Sequence, residues 1–184
     1  MIFRFKIEKT IEASAVLLKT EANRMTLLRL LKLLYIADRE ALKERARPIT
    51  GDRAVAMDHG PVLSVTYNLI KGEDFLAPQW EKYVRREGKH EVALIANPGV
   101  GHLSKYEIEK LQAVARQYQD LNEWELSEFT HTFLEWKKNQ PPPKSKKDIP
   151  EDDILAAVGL SDLKEKLAAD SEAEAIADRL FGAD

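Results

Sequence analysis

The sequence predicts a mainly α-helical protein with a small antiparallel β-sheet, an α+β fold in which a compact helical body is followed by a helical C-terminal tail. Three observations lead to this prediction. The segment 27–38 is rich in leucine at helical spacing and is too apolar to lie on a surface. Two later segments carry reciprocal capping residues at the start of a helix. Two short segments flank a glycine-containing turn, which is typical of a β-hairpin.

The composition indicates one domain with an appendage in a reducing environment. The chain has 184 residues, a net charge of −3 and no cysteine, which excludes disulfides, thiolate nucleophiles and thiolate zinc sites. No apolar run approaches the ~18 residues that span a bilayer, and early charges interrupt any signal-peptide core. The histidines are scattered, and phosphate-binding loops, nucleotide fingerprints and serine elbows are absent from the sequence. We expect a cytoplasmic protein without membrane contact, metal or cofactor, and not an enzyme.

The first two helices are predicted over residues 8–19 and from Thr26, as N-cap, to about Lys43. Leucines give the second helix a wide apolar face, so we expect it to form the core. Its basic residues form a narrow stripe: Arg29, Lys32, Arg39 and Lys43. Asp38 lies at the edge of the apolar face, where an unpaired carboxylate is costly. We expect it to pair with an arginine or a backbone N–H group, with partner binding as the alternative.

A turn and a strand are predicted next, over residues 47–52 and 53–57. Gly60 and Pro61 should end the strand and begin a helix that runs to Lys71, because proline suits the first position of a helix.

Asp58 and His59 are thereby placed at a helix start, where free N–H groups and the helix dipole favour anions. One interpretation is a recognition site for an acidic side chain or a chain terminus. The other is that Asp58 caps the helix and His59 fills a polar niche. We favour the second, because capping is the common use of aspartate at such a place.

The β-hairpin is predicted from strands over residues 80–85 and 91–96. Two helices then begin with capping boxes, Ser104 with Glu107 and Asn122 with Glu125. The second of these helices should bury one face, formed by Leu126, Phe129, Phe133 and Trp136. Thr130 lies on that face, whereas His131 lies off it and is expected at the surface or the rim.

The chain is predicted to divide into a helical body with the small sheet (residues 1–138), a proline- and lysine-rich linker (139–149) and an acidic helical extension (150–184). The extension holds ten acidic and three basic residues, and the rest of the chain holds 21 and 25. Such an acidic unit suits a basic partner or a basic surface of its own body. Because its helices have few large apolar residues, we expect them to pack on the body or on a partner.

Three stretches of the body occur together in one known family. They are Leu31-Lys32-Leu33-Leu34-Tyr35-Ile36-Ala37-Asp38, then Ala56-Met57-Asp58-His59-Gly60-Pro61-Val62 with Tyr67, and Leu126-Ser127-Glu128-Phe129-Thr130-His131 with Trp136. In order and spacing they resemble the Panacea domain family, and the resemblance covers about residues 8–138. This family includes phage-associated proteins and antitoxins of bacterial toxin–antitoxin pairs.

The resemblance implies a mostly helical fold with a small sheet and a binding protein without known catalysis. Members neutralise a toxin mostly by direct contact, and one resembles a proteolysis adaptor that hands its toxin to a cytoplasmic AAA+ protease. We therefore expect an antitoxin that binds a cognate protein toxin, with such a protease as a further partner if it acts as an adaptor. The candidate partner-binding residues are Tyr35, Asp38, Asp58, His59, Gly60, Pro61, Tyr67, Thr130, His131 and Trp136.

Two other functions stay open. A winged-helix-like body with a basic hairpin would be typical of a DNA-binding transcriptional regulator, since such side chains can hold phosphates. The basic residues of the hairpin are Lys82, Arg85, Arg86 and Lys89. The body is only mildly basic, which gives a nucleic-acid partner weak support. A hydrolase that uses Asp38, Asp58 and His59 together is less favoured, because nothing in the spacing requires them to meet.

Overall fold

The computed structural model describes residues 2–181 and confirms an α+β fold with a helical C-terminal tail. Its strands form two small antiparallel sheets rather than one. The helices are α1 (Ile7–Lys19), α2 (Leu27–Arg45), α3 (Ser64–Lys71), α4 (Ala77–Trp80), α5 (Lys105–Gln117), α6 (Glu123–Thr130), α7 (Leu134–Lys138), α8 (Glu151–Ala157) and α9 (Lys164–Phe181), with a 3₁₀ turn at Ser161–Leu163. The strands are β1 (Arg24–Thr26), β2 (Ala54–Met57), β3 (Gly60–Leu63), β4 (Val84–Glu87), β5 (Glu91–Leu94) and β6 (Lys147–Asp148).

Helix α2 forms the core of the protein, as predicted. Thr26 caps it, because its hydroxyl accepts a hydrogen bond from the backbone N–H of Arg29 at 3.3 Å. The core side chains of the helix are almost fully buried: Leu30, Leu31, Leu33, Leu34 and Ile36. The helix contacts α1, α5, α6 and β3. Two members of the predicted basic stripe, Arg29 and Lys32, are therefore buried with it.

The first sheet has the strand order β1–β5–β4 and contains the predicted β-hairpin. Gly88 lies in the hairpin turn with φ at +61°, a conformation that favours glycine. Trp80 lies in α4 rather than in the first strand of the hairpin. Strand β1 was not predicted, because its three residues become a strand only by pairing with Glu91–Leu94.

The helix predicted to begin at Pro61 begins instead at Ser64, so that prediction is wrong. Residues Gly60–Leu63 form β3, which pairs with β2 in the second sheet, of order β3–β2–β6. Pro61 is tolerated there because β3 is an edge strand, whose outward N–H groups need no partner within the sheet. The N-terminal N–H groups of α3 are held by Asp52, whose carboxylate accepts from Val65 N and Thr66 N at 2.9 and 2.8 Å.

The capping boxes of α5 and α6 are confirmed. The second helix, however, was predicted to continue through Trp136, and it ends at Thr130. The hydroxyls of Thr130 and Thr132 donate to the carbonyls of Ser127 and Phe129, which competes with continued helical bonding. Residues 131–133 form a turn, and α7 begins at Leu134.

The segment predicted as a linker is joined to the body. Strand β6 pairs with β2, and the N–H of Ile149 donates to the carbonyl of Ala54 at 3.0 Å. Ile149 is buried in the main core, whereas the lysines of the segment are exposed. The division at residues 138 and 149 stays a prediction.

A second apolar cluster joins the acidic extension to the body. Its buried members come from the N-terminus, α2, α8 and α9: Ile2, Leu42, Leu155, Val158 and Leu167. The start of the extension thus packs on the body. Within residues 2–181, no helix combines the length and the apolar character needed to cross a bilayer.

Candidate functional site

The turn between β2 and β3 is held by three helices at once. Trp136 Nε1, on α7, donates to the carbonyl of Met57 at 3.1 Å. The Ser127 hydroxyl, on α6, donates to the carbonyl of His59 at 2.7 Å, and Lys32 Nζ, on α2, donates to the carbonyl of Pro61 at 2.7 Å. Backbone carbonyls that would otherwise need water are thereby paired inside the protein. We call the residues of this turn and those that hold it the turn cluster: Lys32, Asp58, His59, Gly60, Pro61, Ser127, Thr130, His131 and Trp136.

Gly60 is the point of closest packing in the turn cluster. Its φ is +90°, and a Cβ added there would overlap the Thr130 hydroxyl oxygen and lie 2.9 Å from Lys32 Nζ. Only glycine combines this backbone conformation with this lack of space. Gly60 and the fully buried Thr130, both predicted as site residues, therefore shape the turn from within.

Lys32 is the least expected member of the turn cluster. Its side chain is fully buried, and the carbonyl of Pro61 is its hydrogen-bond acceptor. Desolvation lowers the pKa of Lys32 from 10.5 to about 7, because burial penalises the charged amine. The sequence does contain a signal for a buried lysine, since Lys32 stands alone between pairs of leucines. The prediction from helical spacing nevertheless assigned it to the exposed basic stripe.

His131 and Trp136 form a stacked pair beneath the turn. Their ring centroids are 4.1 Å apart and the rings are 14° from parallel. His131 Nδ1 lies 3.5 Å from Glu128, while Nε2 is buried and has no hydrogen-bond partner within residues 2–181. The predicted rim position of His131 is thus only partly correct, since the ring is packed between the turn and α7.

The tip of the turn is the exposed part of the site. Asp58 and His59 are both exposed, and the His59 ring meets Trp124 edge to face at 5.2 Å. Trp124, on α6, keeps 57% of its surface exposed. Asp58 accepts a hydrogen bond from Lys144 N at 2.8 Å, so it caps no helix and the favoured capping interpretation is wrong. Trp124 was missed because sequence alone does not distinguish an exposed tryptophan from a core one.

A second group of predicted residues lies between α2 and α7. The Tyr35 hydroxyl donates to Glu135 at 3.0 Å, and Arg39 forms an ion pair with the same fully buried carboxylate at 2.7 Å. Burial raises the pKa of Tyr35 well above its usual value, and the charge of Glu135 adds to the effect. Tyr35 and Trp136 thus belong to neighbouring groups linked through α7. Tyr67 joins neither group, since its ring lies under the Lys71 ammonium group at 5.2 Å.

Asp38 pairs with backbone N–H groups, one of its two predicted kinds of partner. Its carboxylate accepts from the N–H groups of Ile49 and Thr50 at 3.1 and 3.0 Å, and from the Thr50 hydroxyl. Burial raises its pKa to about 7, and these hydrogen bonds oppose the rise. Asp38 therefore fixes the turn over residues 47–52, and it also lines a cavity of about 240 Å³ beside Tyr35 and Arg39.

The three residues of the hydrolase hypothesis are not brought together. Asp38 is engaged by Ile49 and Thr50, whereas Asp58 and His59 contact Lys144 and Trp124. Among the residues that the structure describes, no three histidine, aspartate or glutamate side chains are grouped closely enough to hold a metal ion.

The β4–β5 hairpin has mixed charge. Its basic side chains share the hairpin with Glu87 and Glu91, both of which pair with Arg24 of β1. Arg86 donates to the carbonyl of Lys89 within the turn. The hairpin is therefore not a uniformly basic surface.

Comparison with known families agrees with the motifs around the turn. The profile of the family described as "Antitoxin SocA-like, Panacea domain" matches residues 30–137, from α2 to α7. The match includes every member of the turn cluster, together with Tyr35, Asp38 and Glu135. Searches of curated proteins and of solved structures found no match. Because the profile spans more than half of the chain, the protein belongs to the SocA-like antitoxin family with a Panacea domain.

Proposed function

We propose that this protein is an antitoxin that binds its cognate protein toxin directly, through the exposed tip of the β2–β3 turn. Membership of an antitoxin family favours a binding role over an enzymatic one. The observation that carries the proposal is the exposed contact between His59, on a turn whose carbonyls are fixed from inside, and Trp124 of α6. We call Asp58, His59 and Trp124 the tip surface.

The tip surface has the character of a binding hot spot. Tryptophan is among the residues most enriched where truncation costs the most binding energy. A surface that is already ordered loses less conformational entropy when a partner binds. Buried members of the turn cluster, such as Lys32 and Thr130, therefore act by positioning the tip rather than by touching the toxin.

The test is neutralisation by tip-surface variants. The toxin is taken as the product of the neighbouring gene, and growth of co-expressing cells is measured with binding of the purified proteins. Trp124→Ala and His59→Ala should each weaken binding by about 30-fold or more, which corresponds to ~2 kcal/mol. Phe75→Ala is the matched control, because Phe75 is an aromatic residue with 87% exposure that lies outside the turn cluster.

Full neutralisation by both tip variants, with unchanged circular dichroism, would place the toxin contact elsewhere. A neighbouring product that is harmless when expressed alone would remove the antitoxin proposal itself.

Delivery of the toxin to a cytoplasmic AAA+ protease is the alternative way in which an antitoxin of this family could act. The two modes differ in the fate of the toxin. Under direct binding the toxin half-life in cells is unchanged or longer when the antitoxin is present, whereas delivery shortens it. The DNA-binding alternative has less support, because acidic residues interrupt the basic β4–β5 hairpin.

A further inference from the structure

Lys6 and Arg47 converge on one carboxylate of the acidic extension. Lys6 Nζ lies 2.6 Å from Glu174 Oε1, and the Arg47 guanidinium group contacts Glu174 Oε2. Lys6 directly precedes α1, and Arg47 follows α2. The hydrogen bond from Lys6 lowers the pKa of Glu174. We call Lys6 and Arg47 the basic clamp.

The basic clamp is held in place by the body and does not depend on α9. The N–H of Lys6 donates to the carbonyl of Thr50 at 2.9 Å, which ties the segment before α1 to the turn that carries Arg47. Gly51 has φ at +67°, and a Cβ there would overlap the carbonyl oxygen of Arg4. The two backbones are therefore packed against each other, so the body fixes the backbone positions from which the two side chains of the clamp extend.

Helix α9 covers the clamp but is weakly held. Leu167 is the only buried side chain among those described for this helix. Both ion pairs to Glu174 are partly exposed, and exposed ion pairs contribute little to stability. A groove of about 1090 Å³ remains between the helix and the body. Five further cations line this groove: Arg4, Lys9 and Arg45 from the body, and Lys166 and Arg179 from α9. Lys9 is paired with Glu107 and the Arg45 guanidinium group lies over the Tyr106 ring, so both are already engaged by the body.

We propose that the basic clamp is a docking site for an acidic helix of a partner protein, and that α9 occupies this site in the free chain. Partner binding then requires α9 to leave, so the acidic extension competes with the partner. This surface shares no residue with the turn cluster and goes beyond the function proposed above.

Two observations favour an acidic helix over a nucleic acid as the partner. Lys6 and Arg47 each contact one of the two oxygens of a single carboxylate on a helix. Apolar side chains also line the groove, including Phe3, Phe5 and Leu76. They match the apolar face of an amphipathic helix better than a phosphate backbone.

The test uses the full chain and a labelled peptide of residues 164–180, which reproduces the acidic helix of α9. Binding is measured by fluorescence anisotropy at low and moderate salt. The Leu167→Ala, Glu174→Ala double variant removes the main contacts of α9 and should bind the peptide at least 10-fold more tightly than the unmodified chain. Adding Lys6→Ala and Arg47→Ala should abolish this gain, whereas adding Lys43→Ala, an exposed cation outside the groove, should not. A peptide with Glu174→Gln should bind more weakly than the parent peptide.

Equal binding by the unmodified chain and the double variant would overturn the proposal, as would binding that survives loss of both clamp residues. Tighter binding of a short DNA duplex than of the peptide would overturn it in favour of a nucleic-acid site. None of these measurements involves the toxin, so their outcome is independent of the function proposed for the tip surface.

Discussion

Lys32 Nζ donates to the carbonyl oxygen of Pro61 at 2.7 Å, which links the core helix α2 to the edge strand β3. Gly60, beside Pro61, is packed against the same nitrogen. The innermost helix thus supports the turn whose tip is exposed. The residues that hold this turn can be tested separately from those that would touch a partner.

Replacing Lys32 by methionine should change how stability depends on pH. The folded pKa of Lys32 is about 7, below its ordinary value of 10.5, so the unfolded state binds more protons between these values. The free energy of unfolding of the unmodified protein should therefore rise with pH from 7 to 10, by up to about 1.4 kcal/mol per unit. In Lys32→Met this rise should be absent. Urea denaturation at pH 7, 8 and 9 gives the comparison, and parallel curves for the two proteins would show that Lys32 is charged when folded.

Gly60→Ala should destabilise the protein by about 2–4 kcal/mol, because it combines a strained backbone conformation with overlap at Thr130. Gly101→Ala is the control, since a Cβ there meets nothing within 4 Å. The control should change stability by less than about 0.5 kcal/mol. Thermal unfolding followed by circular dichroism measures both, and similar melting of the two variants would contradict the close packing at Gly60.

Glu135→Ala should lower the free energy of unfolding by about 3 kcal/mol, because it leaves Arg39 and the Tyr35 hydroxyl without their shared, fully buried acceptor. Glu109→Ala removes an exposed ion pair to Lys105 on α5 and should cost no more than about 0.5 kcal/mol. Chemical denaturation of both variants tests the difference. A small cost at Glu135 would mean that water replaces the lost carboxylate.

Asp38→Asn should remove a pH dependence of the free energy of unfolding whose sign is opposite to the one expected for Lys32. The folded pKa of Asp38 is about 7, above its ordinary value of 3.8, so the folded state binds the extra proton between these values. The stabilisation is complete below pH 3.8 and is lost as pH rises through about 7. From pH 7 down to 5, the unmodified protein should therefore gain stability relative to Asp38→Asn, by up to about 1.4 kcal/mol per unit. Equilibrium unfolding at pH 5, 6 and 7 tests this, and the absence of any gain would mean that the buried carboxylate stays ionised over this range.

Two truncations separate the acidic extension from the core. Removing residues 164–184 takes away one buried side chain among those described, Leu167, and should leave a folded protein with a slightly lower melting temperature. Removing residues 141–184 also takes away β6 and the buried Ile149 and Leu155, so it should be strongly destabilising. Melting temperatures of the two purified products make the comparison. Equal stability would show that the body of residues 1–138 folds alone, as the sequence division predicts.

The elements with local signals were predictable from the sequence. Thr26 with the leucines after it defines α2, and the Ser104 and Asn122 capping boxes define the starts of α5 and α6. These signals are complete within one segment of the chain.

The errors occur where a distant partner decides the structure. Pro61 suits the first turn of a helix and also an edge strand, and only pairing with Ala56 selects the strand. Helical spacing places Lys32 in a basic surface stripe, but in the structure it is buried, with the carbonyl of Pro61 as its acceptor. Most residues of the turn cluster were predicted as partner-binding residues because they lie in the family motifs. Trp124 could be identified as a surface residue beside them only from the three-dimensional structure.

The β2–β3 turn is completed only by Lys32, Ser127 and Trp136, which are far apart along the chain. A polypeptide still emerging from the ribosome has neither α6 nor α7 when the turn itself is synthesised. Any activity that depends on the tip therefore begins only after Trp136 has left the exit tunnel, and a chain that ends before Trp136 lacks a completed turn.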